Sequence, residues 1–347
     1  MRIIKPSFEI WDQEEGLEGI YKQIERAGRV CYKSEPKYRW YSEDKKRWIN
    51  EDSEEWKAIE NPKKEYPTRG ENISAKPFVD RMVKSGHGAM LEHGTVYLKL
   101  NNSMSANVFL ISQKYDRNKY SVVNYRDYEN DVNNRGVTYQ EYFITTNYRV
   151  LVEKGWLDDL QYLCEPTEYH EGRLTIHFTT QIAISREFNR HRVDSMAEQS
   201  TRYCDYSGNN EKFEGVGINL PSWVDSEIQR LEDITENVLP TFEQLKEEYF
   251  SVSDQGITKD DWGDIEWWLW SSLIAEESYQ NLRKLGRKPQ EARVVLPLDT
   301  NTELVHTASI SDWKHFFQLR CDKTAHPDAR ILAEPLQEEF YNKNILK

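Results

Sequence analysis

Hydrophobic and polar positions divide the chain into recognisable elements. Residues 17–28 place apolar side chains at helical spacing, and Gly28 suits a helix stop. Residues 35–73 are very polar and rich in Lys, Glu and Trp, which reads as an exposed insert carrying one helix around 44–60. Ser74 is placed to cap a short helix over 75–85, with Gly86 ending it. Residues 95–100 read as a strand, and 103–115 and 137–155 as helices. The alternation over 173–180 predicts a strand with one buried face, and a helix over about 181–190 follows. Residues 205–218, rich in Gly, Asn and Glu, read as a loop. Pro221 and Ser222 open a long helix to about 251. Another helix over 262–285 carries Trp267, Trp268 and Trp270 as core bulk and closes at Gly286. Pro289 suits the first position of a short helix that delivers Arg293. A last helix spans about 311–320 and ends at Arg320. There is no internal repeat and no long linker, so the pattern predicts a single helix-rich α+β domain with insertions near 35–73 and 120–150.

Composition narrows the function classes. Only 38% of the chain is apolar, but 11 Trp, 20 Tyr and 12 Phe supply large buried areas. A net charge of −13 argues against a nucleic-acid binder, which needs a basic footprint. Cys31, Cys164, Cys204 and Cys321 are widely spaced with no C-x-x-C pair, and read as reduced thiols of a cytoplasmic protein. The first residues lack the apolar run of a signal peptide, and no stretch is long enough to span a membrane.

Against that acidic background, Arg186, Arg190, Arg192 and Arg202 fall within seventeen residues, with His191, Ser195 and Ser200 between them. Guanidinium forks match phosphate oxygens, so this segment predicts a local pocket for a phosphorylated ligand. The i,i+4 pairs Arg190–Asp194 and Glu198–Arg202 fit a salt-bridged helix face equally well. A second dense segment holds His87, Glu92 and His93. Its spacing differs from the helical metal motifs, which favours a structural histidine near a strand start. The dinucleotide fingerprint, the P-loop and the G-x-S-x-G elbow are absent from the sequence, and nothing marks an activated Cys. The remaining groups suggest a nucleotide-handling enzyme.

Arg190-His191-Arg192, seven residues and Ser200 resemble the signature of the flavin-dependent thymidylate synthases. Gly28 to Tyr32, His87 with Glu92-His93, Glu291 to Pro297, and Phe316 to Arg320 resemble further motifs of that family, in the same order. The resemblance spans roughly 17–340. It implies an antiparallel sheet flanked by long helices, and a homotetramer with active sites shared between subunits. It implies conversion of dUMP to dTMP, with methylenetetrahydrofolate as carbon donor, NADPH-reduced FAD as hydride donor, and no cysteine nucleophile. By position, the resemblance assigns Glu187, Arg190, Glu198, Ser200, Arg202, Arg293 and Arg320 to dUMP. It assigns His87, Arg190, His191, Arg192, Glu198, Ser309 and His315 to FAD, and gives Arg320 the catalytic role beside the uracil. This chain departs from the pattern in having Glu187 in place of Gln, Ala89 in place of Thr, Ser309-Ile310-Ser311 in place of Asn-Ala-Arg, and His315 in place of Asn. Two other readings stand beside it: a metal-dependent hydrolase using His87, His93 and His191, and a non-catalytic nucleotide-binding protein.

Overall fold

The Arg173–Gln181 segment forms a strand, as its alternation predicts, and it runs through the middle of an antiparallel sheet. The computed structural model describes residues 1–42, 45–59, 70–101, 106–130, 137–208, 215–224, 244–245, 247, 259 and 262–346. Across the sheet the order is Ser195–Glu198, Asn301–Ser309, Arg173–Gln181 and Ser7–Trp11. The register pairs Leu304 with Phe178, His306 with Ile176 and Thr307 with Thr175. A strand's side chains alternate between faces, so this register sorts the residues into two layers. Ile176, Phe178, Leu304 and Ala308 pack with Trp313, Phe316, Phe317 and Phe340 of the Ile310–Arg320 and Pro327–Asn342 helices. On the opposite face, Trp11, Ala197 and Val305 pack with Ala27 of the Gly16–Tyr32 helix.

A second antiparallel sheet has Val137–Asn147 between Thr95–Asn101 and Val122–Asn130. Its core joins Val96, Leu98 and Ile144 to the Ala75–Ser85 and Tyr148–Lys154 helices. Arg2–Ile4 pairs in parallel with Gly217–Asn219, beside the Asp264–Lys284 helix. The polar insert holds a small sheet of Tyr38–Ser42, Arg47–Asn50 and Glu71–Asn72. The fold is α+β with antiparallel sheets. Among the described residues, no helix is long and apolar enough to cross a membrane. All four cysteines are unbridged.

Several sequence expectations are corrected. The described part of the predicted 44–60 helix is the Arg47–Asn50 strand and a single turn, Glu54–Lys57. Residues 137–155 are mostly strand, with only Tyr148–Lys154 helical. Residues 141–148 are buried without interruption, because this strand has a neighbour on each side and is covered on both faces, which hides its period of two. The strands at Ser7–Trp11, Ser195–Glu198, Gly217–Asn219 and Asn301–Ser309 and the helix Pro327–Asn342 were not anticipated, and the last of these displaces 311–320 as the final helix. The predicted helix from Pro221 to 251 is helical at 222–224, and most of the rest lies outside the described residues. Of the three tryptophans assigned to the core, Trp268 is buried while Trp267 is 48% exposed.

Gly28 does not stop its helix. The helix continues to Tyr32, where Lys33 takes the left-handed cap at φ 47°. A Cβ at Gly28 would lie 2.5 Å from the Phe78 ring, so the glycine permits two helices to approach closely. We expect Gly28→Ala to cost about 1–3 kcal/mol through overpacking. Urea unfolding monitored by tryptophan fluorescence checks this, and an unchanged midpoint would contradict it.

Candidate active site

The central strand pair determines where the chemical groups meet. The Ile182–Phe188 helix leaves the sheet at Gln181, paired with Asn301, and the Ile310–Arg320 helix leaves at Ser309, paired with Arg173. These are opposite ends of one antiparallel pair, so the two helices run toward each other over the same face. Phe188 fills the junction, with ring centroids 5.0 Å from both Phe178 and Phe316. The helices meet at their C-terminal ends. There Arg320, with 11% of its side chain exposed, donates from Nη1 to Glu187 Oε2 at 2.9 Å, from Nη2 to the Glu187 carbonyl, and from Nε to His191 Nε2 at 3.2 Å. A cation at a helix C-terminus also meets the negative end of its dipole. His315 joins the group, its ring 5.9 Å from that of His191.

On another side of the Ile182–Phe188 helix lies a cleft of about 620 Å³, lined by Arg186, Glu198, Gln199, Ser200, Thr201, Arg293 and the apolar run Val294 to Leu298. Arg293 follows the short Pro289–Ala292 helix, as predicted, and donates to Thr201 Oγ1 at 2.8 Å. Glu198 accepts from Ser185 at 2.6 Å, Asn189 at 3.1 Å and Thr302 at 3.2 Å, which fixes its carboxylate at the cleft wall with neutral donors. Two guanidinium groups and two hydroxyls against one carboxylate give this cleft the chemistry of an anion site on an acidic chain. A larger cleft of about 810 Å³ borders the Gly16–Tyr32 helix, but its cations Lys22, Arg26, Arg29 and Lys33 are already paired with Glu14, Glu9, Glu25 and Glu303.

The structure thus gathers Glu187, His191, His315 and Arg320 in one group, and Glu198, Ser200 and Arg293 in the other. Arg190 and Arg192 are exposed just past the C-terminal end of the Ile182–Phe188 helix, which stops two residues short of the predicted 181–190 span. The salt-bridged helix face is not formed, because the segment is a turn, the Ser195–Glu198 strand and a second turn. Arg202 is exposed, with its guanidinium 5.5 Å from the Tyr203 ring centroid. His87 is exposed at the start of the Gly88–Leu91 turn. Ser309 caps the Ile310–Arg320 helix, accepting from the Asp312 amide at 3.1 Å. Of the three histidines of the metal reading, His87 is exposed, His93 bonds Thr307 at 2.8 Å, and His191 accepts from Arg320. Among the described residues, no group of three or more His, Cys, Asp or Glu side chains could hold a metal ion.

Sequence reasoning missed Thr201, although it directly follows Ser200, and it missed the buried His306–Asp194 pair, 2.7 Å apart. Asp194 belongs to the Arg190–Asp194 turn, so this bond ties the arginine-bearing turn to the sheet. Nothing local in the sequence marks that contact, which spans 112 positions.

Burial holds two of these imidazoles neutral. His191 is lowered to about 4 by burial first, then by His306 and Arg320; neutrality lets its Nε2 accept the Arg320 proton. His93 is lowered to about 3 by burial first, then by Arg173. Unfolded, both protonate near 6.5, so below that pH the unfolded chain binds protons that the folded chain does not. Stability is therefore full above pH 6.5 and falls as pH drops toward 4, by about 3 kcal/mol for the enclosed His93 alone. Melting followed from pH 7 to pH 4 checks this. His93→Gln should flatten the dependence, and an unaltered slope would contradict the assignment.

The family model described as thymidylate synthase complementing protein matches residues 165–343. Among curated proteins, the chain is 26% identical over 169 residues to the flavin-dependent thymidylate synthase of Synechocystis, covering 48% of this chain and 65% of that protein. It is 26% identical over 180 residues to that of Thermosipho melanesiensis, covering 51% and 66%. The chain thus spans about two thirds of the length of these relatives. Among solved structures, a UMP/dUMP methylase from Streptomyces cacaoi aligns at a TM-score of 0.38 and 14% identity, over 99% of this chain and 92% of that one. Thymidylate synthase X from Helicobacter pylori aligns at 0.30 and 16%, over 48% and 66%. The family match covers more than half of the chain, including both the Arg320 group and the Arg293 cleft, and the chain therefore belongs to the flavin-dependent thymidylate synthase family.

Proposed function

We propose that the protein is a thymidylate synthase that methylates dUMP to dTMP, with FAD as cofactor and methylenetetrahydrofolate and NADPH as co-substrates. The observation that carries this is the placement of a basic, hydroxyl-lined cleft on one side of the Ile182–Phe188 helix and a largely buried guanidinium, Arg320, at its end. In this reading Arg186, Ser200 and Arg293 hold the nucleotide phosphate, with Thr201 orienting Arg293. Glu198 takes a hydroxyl or N–H of the nucleotide, since a carboxylate would repel phosphate. Arg320 stands beside the uracil and stabilises negative charge at N3, which makes C5 a better nucleophile toward the one-carbon donor. No cysteine attack is needed for that step.

The residues assigned to the flavin suit its anionic part. Arg190 and Arg192 are exposed, and none of the ion pairs among the described residues engages them, so they are open to a diphosphate. His87 and His315 are left for the flavin's polar edge, whereas the Ser309 hydroxyl is already engaged as a helix cap and His191 Nε2 already accepts from Arg320. When bound, FAD supplies the hydride that completes the methyl group.

The chain is read as one domain of the family fold with two inserts, assembling as a homotetramer with shared sites. Supporting this, Val193, Tyr203, Val294 and Leu298 are 65%, 60%, 78% and 53% exposed around the arginine turn and the cleft, as a surface awaiting another subunit would be.

The test is anaerobic incubation with dUMP, methylenetetrahydrofolate, NADPH and FAD, with dTMP as readout. Arg293→Ala should raise the KM for dUMP about 10- to 100-fold, the loss of one charged hydrogen bond. Arg320→Ala should abolish turnover while flavin stays bound. Nucleotide binding without dTMP would favour a non-catalytic binding protein, and retained turnover in the Arg320 variant would remove its catalytic role.

A further inference from the structure

The Arg320 guanidinium is engaged on all three nitrogens by its own chain, and the three contacts differ in what holds them. Nε is bonded to His191, which is 7% exposed, and Nη2 to the Glu187 backbone carbonyl at the end of a helix anchored by the fully buried Phe188. Neither partner can leave without disturbing the junction of the two helices. The third contact is to the Glu187 carboxylate, whose side chain is 41% exposed, against 11% for Arg320. It is the one removable bond, and it carries the negative charge.

We propose that the Glu187 carboxylate is an internal competitor for Arg320. It neutralises the guanidinium in the free protein and must swing away when the anionic edge of the uracil nucleotide arrives. This rests on the nucleotide reading above. The two retained bonds keep Arg320 aimed while Nη1 opens, so the site exchanges one carboxylate for one nucleobase anion at an unchanged geometry. A half-exposed ion pair is cheap to break, which suits it to exchange. Glu187 is therefore a positioning residue that sets how strongly Arg320 favours the N3-ionised base. The carboxylate weakens that preference wherever it stays near, because it repels the same anion.

The experiment titrates the ¹⁹F resonance of 5-fluoro-dUMP bound to the flavin-loaded protein against pH, which reads ionisation at N3 directly. Glu187→Gln keeps the length and an acceptor oxygen but removes the charge. It should lower the apparent pKa of the bound base by about one unit and tighten binding at neutral pH up to about tenfold. Glu187→Asp keeps the charge but withdraws it by one methylene, and should fall between the parent and the Gln variant. A merely structural role for Glu187 would weaken binding in both variants and leave the N3 titration where it is, and that result overturns the proposal. If the parent protein binds 5-fluoro-dUMP and neither variant moves the titration, competition fails while the nucleotide reading stands. If parent and variants all fail to bind it, the nucleotide reading falls and the competitor role falls with it.

Discussion

The antiparallel pairing of Arg173–Gln181 with Asn301–Ser309 is the constraint on which the site depends. Each strand runs directly into a helix, and because the strands are antiparallel, those helices start at opposite ends and converge on one face. Had the strands been parallel, Arg320 and Glu187 would lie at the same end of the sheet as their strand ends, pointing the same way. Converging instead, the helices bring two C-termini together, where backbone carbonyls accumulate partial negative charge. A guanidinium is the natural group to place there. The aromatic contacts among Phe178, Phe188 and Phe316 then fix the meeting point to the geometry of a packed core.

In the proposed reading, the same arrangement separates two jobs of a nucleotide site. The cleft around Arg293 and Ser200 is open and polar and suits a solvated phosphate. The Arg320 end is enclosed, with a neutral His191 on one side, so a charge there acts through a lower dielectric. The His306–Asp194 pair links the turn that carries Arg190 and Arg192 to the sheet, so these exposed arginines stand on a rigid base.

Much of this was legible in the sequence where the signal was local. The alternation over 173–180 and Pro289 ahead of Arg293 rest on neighbouring residues and each corresponds to an element in the fold, whereas of the four arginines clustered from Arg186 to Arg202 only Arg186 lines the cleft, beside Ser200. What escaped depends on contacts between distant segments. Residues 141–147 of the Val137–Asn147 strand are buried on both faces, so the period of two is lost there and the run of Tyr, Phe, Ile and Thr reads either way. Ser195–Glu198 is only four residues long and becomes a strand because Asn301–Ser309 lies beside it. Gly28 reads as a terminator until Phe78 is placed against it. Pairings such as Arg293 with Thr201, or His306 with Asp194, exist only once the sheet has formed.

In the proposed reading, one nucleotide reaches both the Arg293 cleft and the Arg320 end across the Ile182–Phe188 helix. The most direct measurement is a crystal structure of the flavin-loaded protein with dUMP. Phosphate oxygens are expected at hydrogen-bond distance from Arg293 and Ser200, with the uracil against Arg320. A nucleotide whose phosphate lies instead among Lys22, Arg29 and Lys33 of the larger cleft, away from both groups, would contradict it.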